Sequence, residues 1–138
     1  PDQLDDIQGP MRTTLELMYA ERQSALDNVE RLHDAGLVIL AGSDSQAGML
    51  SGASLHMELE LLQRAGLSPL EVLQSATVLS ARFLEGTADP SYGDIAVGQR
   101  ADLLLVEGDP LADVAALADI RTVVHRGRIV TRTPWPTD

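Results

Sequence analysis

The chain has 138 residues, enough for one ordinary domain with a real core, and its apolar content of 44% is that of a globular protein. A net charge of −11 disfavours nucleic acid and anionic membranes as partners, because both require a cationic face. Cys and Lys are both absent, which excludes disulfides, thiolate nucleophiles, Cys-ligated metals and any Lys-based covalent chemistry from this chain.

Residues 1–20 form an uncertain lead-in. Asp2, Asp5 and Asp6 crowd the start, Gly9-Pro10 reads as a breaker, and a short helix is expected from Thr13 to Glu21. Residues 21–35 make a better helix, with Ala25, Val29 and Leu32 recurring at i, i+4 and i+7 and Gly36 at the C′ position. Leu37-Val38-Ile39-Leu40 then opens an expected strand over 37–43. An unbroken apolar run of this kind reads as a strand buried on both faces, as in a parallel sheet. Such a strand needs neighbours on both sides, and no other strand of that kind is readable nearby. The chain therefore reads as a piece of something larger.

The segment 45–53 is a small-residue loop. Ser54 is expected to cap a helix over 55–65, with Leu55, Leu59 and Leu62 inward and Gly66 ending it. Ser68-Pro69-Leu70-Glu71 is a capping box with Pro at the first helical position. Its helix is expected to reach Glu85, with Leu70, Leu73, Thr77, Ala81 and Leu84 facing in and Gly86 closing it. From residue 92 the period changes. A short strand and turn are expected over 94–98, and a strand over 101–106. An Ala-rich helical turn follows over 111–118, then a hairpin of 122–125 and 128–132 around Arg126-Gly127. No long apolar span and no signal-peptide pattern is present, so a soluble chain in the cytoplasm is the default expectation.

Asp44 is the leading candidate for chemistry. Catalytic groups of parallel α/β folds sit at the carboxyl ends of the strands. A carboxylate there, followed by a small-residue loop, can ligate a metal or take a proton from water. A loop or helix-cap Asp is the plainer alternative. His56 has Glu60 at i+4, which suits an exposed His–Glu pair; the sharper reading is a substrate contact at the pocket rim. His33 sits in the last turn of its helix, where a cation suits the helix dipole. His125 precedes the hairpin turn without a motif. Turn chemistry accounts for Asp102 and Asp109.

No two His residues have metal-ligand spacing, and a catalytic zinc needs about three protein ligands. Asp44 with His56 falls short, so the chain is not expected to hold a metal tightly alone. The glycines of 42–52 form no phosphate loop, and Gly42-Ser43-Asp44-Ser45 is not a nucleophile elbow.

The order of these segments resembles the C-terminal part of the amidohydrolase superfamily, in particular its imidazolonepropionase-like and prolidase-like branch. Residues 32–44 are similar to the last helix-to-strand passage of a (β/α)8 barrel. Ser54 to Leu62, Ala65 to Leu73, Ala76 to Leu84, Gly93 to Leu103 and Val123 to Val130 follow in the family's order. The resemblance covers roughly residues 21–132. It implies an α/β fold: the last helix-strand-helix units of a (β/α)8 TIM-type barrel over 21–90, part of a small β-sandwich over 91–133, and a tail over 134–138.

The resemblance also implies a function. Asp44 corresponds to the family's metal-binding Asp at the end of the eighth barrel strand, which also accepts a proton from the nucleophilic water. The parent is then a metal-dependent hydrolase, zinc by default, cleaving an amide or other C–N bond of a small-molecule substrate. His56 falls in the segment bordering the pocket. The family's H-x-H, its bridging Lys or Glu and its two later His ligands are missing, so this chain alone is expected to be inactive. It is expected to need the missing N-terminal part of the barrel or to self-associate. The alternative is a non-catalytic truncated chain that folds by oligomerising. A free-standing binding module has no supporting aromatic cluster or basic patch.

Overall fold

A computed structural model describes residues 10–44 and 52–131. The lead-in 1–9, the tail 132–138 and residues 45–51 of the expected loop lie outside the described residues.

Pro10 opens helix α1 (Pro10–Asp34) rather than breaking the chain. A proline in the first turn lacks only an N–H that the helix does not use, and its fixed φ suits the helix. The two expected helices are therefore one, of 25 residues. Its end is a Schellman motif: Gly36 (φ 80) donates to His33 O at 2.8 Å and Leu37 to Leu32 O at 3.1 Å. The contacts that anchor α1 lie at its C-terminal end. Val29 packs on the core, Glu30 covers Gly66, and His33 meets Glu71. Ala25 and Leu32, expected inward with Val29, are exposed.

Residues 37–44 carry no regular element, so the expected strand over 37–43 is not formed. A strand exists through its ladder of hydrogen bonds, and no partner strand lies beside this segment among the described residues. Ile39 and Ala41 pack against the core, and Ala41 N–H donates to Ser75 O at 3.3 Å. Val38 is left exposed.

Helix α2 (Ala53–Arg64) starts after Gly52, whose φ of 89 favours glycine. Ser54 is not its cap, as expected, but lies inside the first turn and is buried. Leu59 and Leu62 face in, whereas Leu55 is exposed. The capping box opens α3 (Pro69–Ala76) as read from the sequence. The helix does not run on to Glu85. Thr77 (φ −123, ψ −100) interrupts it, and α4 (Val78–Glu85) follows, closed by left-handed Gly86. The cause lies in three hydroxyls that compete for main-chain carbonyls. Ser75 donates to Val72 O, Thr77 to Leu73 O and Ser80 to Ser75 O, all at 2.6–2.7 Å. The buried positions are Val72, Ser75 and Ala81. Leu70, Thr77 and Leu84, expected inward, are exposed, and Leu73 is half-buried.

Strands β1 (Leu103–Val106), β2 (Ile120–His125) and β3 (Arg128–Val130) form an antiparallel sheet in the order β1-β2-β3. Leu104 pairs with Val123 and Val123 with Val130, and a bulge falls at Leu105/Val106. Arg126 (φ 49) and Gly127 (φ 75) make the expected two-residue hairpin turn, with φ positive at both positions. The expected strand over 94–98 is absent, and Ile95 and Val97 stand exposed without a partner strand. The Ala-rich helical turn expected over 111–118 is a 3₁₀ helix over Val114–Ala118. It ties the sheet to the helices. Val114 enters the cluster of Leu59, Leu62, Leu67 and Val72, and its N–H donates to Gln63 Oε1 at 3.1 Å.

Candidate functional site

Asp44 ends the segment that leaves the core. Ile39 and Ala41 hold the segment to α2 and α3, and three residues later the carboxylate is exposed. Its φ of 42 places it in the left-handed region, which Asp enters more readily than most residues. Sparsely populated backbone of this kind clusters at functional sites. No described residue hydrogen-bonds or ion-pairs with the carboxylate. Asp44 is thus an exposed carboxylate, without a partner among the described residues, at the end of a packed stem.

His56 lies in the first turn of α2, half-buried. The expected His56–Glu60 pair is not made among the described residues, and no hydrogen bond brings His56 to Asp44. The other two histidines are engaged elsewhere. His33 Nε2 lies 3.1 Å from Glu71 Oε1, so beyond the expected dipole effect it pins α1 to α3. Glu71 also accepts the Ser68 hydroxyl at 2.6 Å and the Ser68 N–H at 2.8 Å. These two bonds, then His33, hold its carboxyl down from 4.5 to about 2.

Asp102 was expected to serve only a turn, and the structure gives it more. It accepts the Arg126 N–H at 2.7 Å and the Arg100 Nε–H, and lies 3.0 Å from His125 Nδ1. The Arg126 N–H first, then Arg100 and His125, hold its carboxyl below the ordinary range, while partial burial opposes them. Arg100 in turn stacks over Tyr92 at 4.2 Å. This cluster clamps the hairpin turn to the start of β1. Its partners are 24 residues apart, so no local sequence spacing announces it.

A catalytic metal requires about three protein donors. Among the described residues no group of three His, Cys, Asp or Glu could hold one. With His33 and His125 engaged, Asp44 stands without a ligand set. The donors among the described residues do not by themselves make a site for a resident metal.

The amidohydrolase family's sequence model matches residues 15–130. The chain belongs to that family. An ochratoxinase from Aspergillus niger is 27% identical over 118 residues, covering 86% of this chain and 24% of that protein. An imidazolonepropionase from Deinococcus deserti is 38% identical over 86 residues, covering 62% of this chain and 21% of that protein. Among solved structures, a Xaa-Pro dipeptidase with bound methionine superimposes with a TM-score of 0.67 at 26% identity, covering 76% of this chain and 25% of its own. A proposed prolidase from Bifidobacterium longum reaches 0.68 at 36% identity, covering 78% and 26%. This amidohydrolase chain therefore spans about a quarter of the length of its relatives. No described helix is long and apolar enough to cross a membrane.

Proposed function

We propose that this chain is the C-terminal portion of a hydrolase acting on an amide or other C–N bond of a small molecule, and that Asp44 is its contribution to the reaction. Family membership supports hydrolysis of C–N bonds. The relatives, an Xaa-Pro dipeptidase and an imidazolonepropionase among them, suggest the substrate class. The observation that carries the role of Asp44 is its free, exposed carboxylate on left-handed backbone at the end of a core-anchored stem.

The carboxylate takes a proton from the water that attacks the carbonyl carbon. As the C–N bond breaks, that proton passes to the leaving nitrogen. A metal in this centre would draw its other ligands from polypeptide outside the described residues. By resemblance it would be zinc. His56 is offered as a contact at the pocket rim. The chain by itself is read as inactive.

Asp44→Asn in a protein that joins this chain to the remaining barrel tests the assignment. A carboxylate acting as the general base contributes about 10²–10⁴-fold, and kcat/KM for a dipeptide or N-acyl substrate is expected to fall by that factor. Unchanged turnover would remove Asp44 from the mechanism.

A further inference from the structure

The stem that carries Asp44 meets α3 at a carbonyl, and a side chain of α4 grips that same carbonyl. Ala41 N–H donates to Ser75 O at 3.3 Å. The Ser80 hydroxyl donates to the same oxygen at 2.6 Å. Ser75 itself is 1% exposed, and its own hydroxyl donates to Val72 O at 2.7 Å. Ser75 O thus accepts from two donors outside α3, one on α4 and one on the stem.

In an unbroken helix this carbonyl would belong to the N–H four residues on, that of Leu79. The break at Thr77 (φ −123, ψ −100) falls inside that interval. A side-chain hydroxyl that enters a helix ladder competes for its carbonyls and bends the helix. Ser80 does so here, reaching back five residues. The break therefore presents to the stem an acceptor that a continuous helix would keep for its own ladder. Ala41 lies three residues before Asp44, and its side chain packs on the core with that of Ile39. Asp44 stands at φ 42, a conformation that persists only where its surroundings determine it.

We propose that Ser80 is a positioning residue for Asp44: its hydroxyl fixes the Ser75 carbonyl, the carbonyl fixes Ala41, and the stem so held places the carboxylate. The inference rests on the role in the reaction proposed above for Asp44 and adds the residue that holds that carboxylate in register.

Ser80→Ala and Ser80→Thr are made in the protein that joins this chain to the remaining barrel. Amide hydrogen exchange is followed at Ala41 and, as a control, at Leu59 and Leu62 of α2. Ser80→Ala is expected to speed exchange at Ala41 by about tenfold and to leave α2 unchanged. Faster exchange throughout would overturn the proposal in favour of a purely structural hydroxyl. For a dipeptide or N-acyl substrate, kcat is expected to fall by about 10–100-fold with KM within about twofold, because a displacement of about 1 Å at a reacting group costs about 10²-fold. Ser80→Thr keeps the hydroxyl and is expected to restore both readouts; Ala and Thr variants that behave alike would overturn the proposal.

Asp44→Asn supplies the second arm. In that background Ser80→Ala is expected to cost no further activity, since it acts through the missing carboxylate. An equal cost in both backgrounds would overturn the proposal. Unchanged turnover in Asp44→Asn would remove the functional reading and this inference with it. A fall in turnover for Asp44→Asn, beside unchanged kcat and unchanged Ala41 exchange for Ser80→Ala, would remove this inference alone.

Discussion

Replacing Glu71 by Gln should destabilise the chain at neutral pH and matter little in acid. The carboxylate accepts three bonds, two from Ser68 and one contact from His33, and so joins the start of α3 to the end of α1. A fall from 4.5 to about 2 corresponds, at about 1.36 kcal/mol per pH unit, to about 3.4 kcal/mol at face value. The side chain is 44% exposed, and solvent screens such a group heavily. We therefore expect about 1 kcal/mol. The sign follows from the depressed folded-state value. The contribution is fully present above 4.5, where the unfolded carboxyl is ionised, and is lost as pH falls towards 2. Urea unfolding of wild type and Glu71→Gln between pH 7 and pH 2 measures the difference. It should stand near 1 kcal/mol at pH 7 and shrink through most of its value below pH 4.5. A difference independent of pH across that range would refute the reasoning, since the ionised carboxylate would then not be its source.

Gly93→Ala should lower stability by more than about 1 kcal/mol in urea unfolding, because its φ is +95 and a Cβ would lie 2.9 Å from Ala81 Cβ and 3.1 Å from Thr77 O. A neutral result would mean that the loop 86–100 shifts freely. Asp102→Ala should accelerate amide hydrogen exchange at Arg126, which loses its 2.7 Å acceptor, while leaving exchange in α2 unchanged. In the wild type the same protection should fade as acid protonates Asp102, whose carboxyl is held below the ordinary range. Equal exchange in mutant and wild type would show that the clamp is not populated in solution.

The helices were legible where local chemistry alone decides them. Ser68-Pro69-Leu70-Glu71 is a reciprocal capping box in the structure, and Gly36 and Gly86 end their helices with positive φ. The hairpin at Arg126-Gly127 was legible for the same reason. Errors arose where a side chain bonds its own backbone. Ser75, Thr77 and Ser80 split an expected single helix in two, because periodicity counts apolar positions and is blind to hydroxyls that take carbonyls. Burial departs from the period in the same stretch, since Leu70 and Leu84 fit it yet are 53% and 72% exposed.

The two missing strands follow from one cause. Residues 37–43 and 94–98 have the composition of strands, but β structure requires a ladder, and the partners that a helix finds within itself a strand must find elsewhere. Where the chain supplies a partner, as for β1 with β2, the strand forms as read from the sequence. Where the described residues supply none, apolar residues such as Val38, Ile95 and Val97 are exposed. The same logic governs the candidate site. Asp44 is proposed from its place after an apolar run, but a ligand set or substrate pocket is a relation between segments, and among the described residues no group of three His, Cys, Asp or Glu could hold a metal. The segment without a ladder and the carboxylate proposed for the reaction therefore lie on one stretch of chain, residues 37–44.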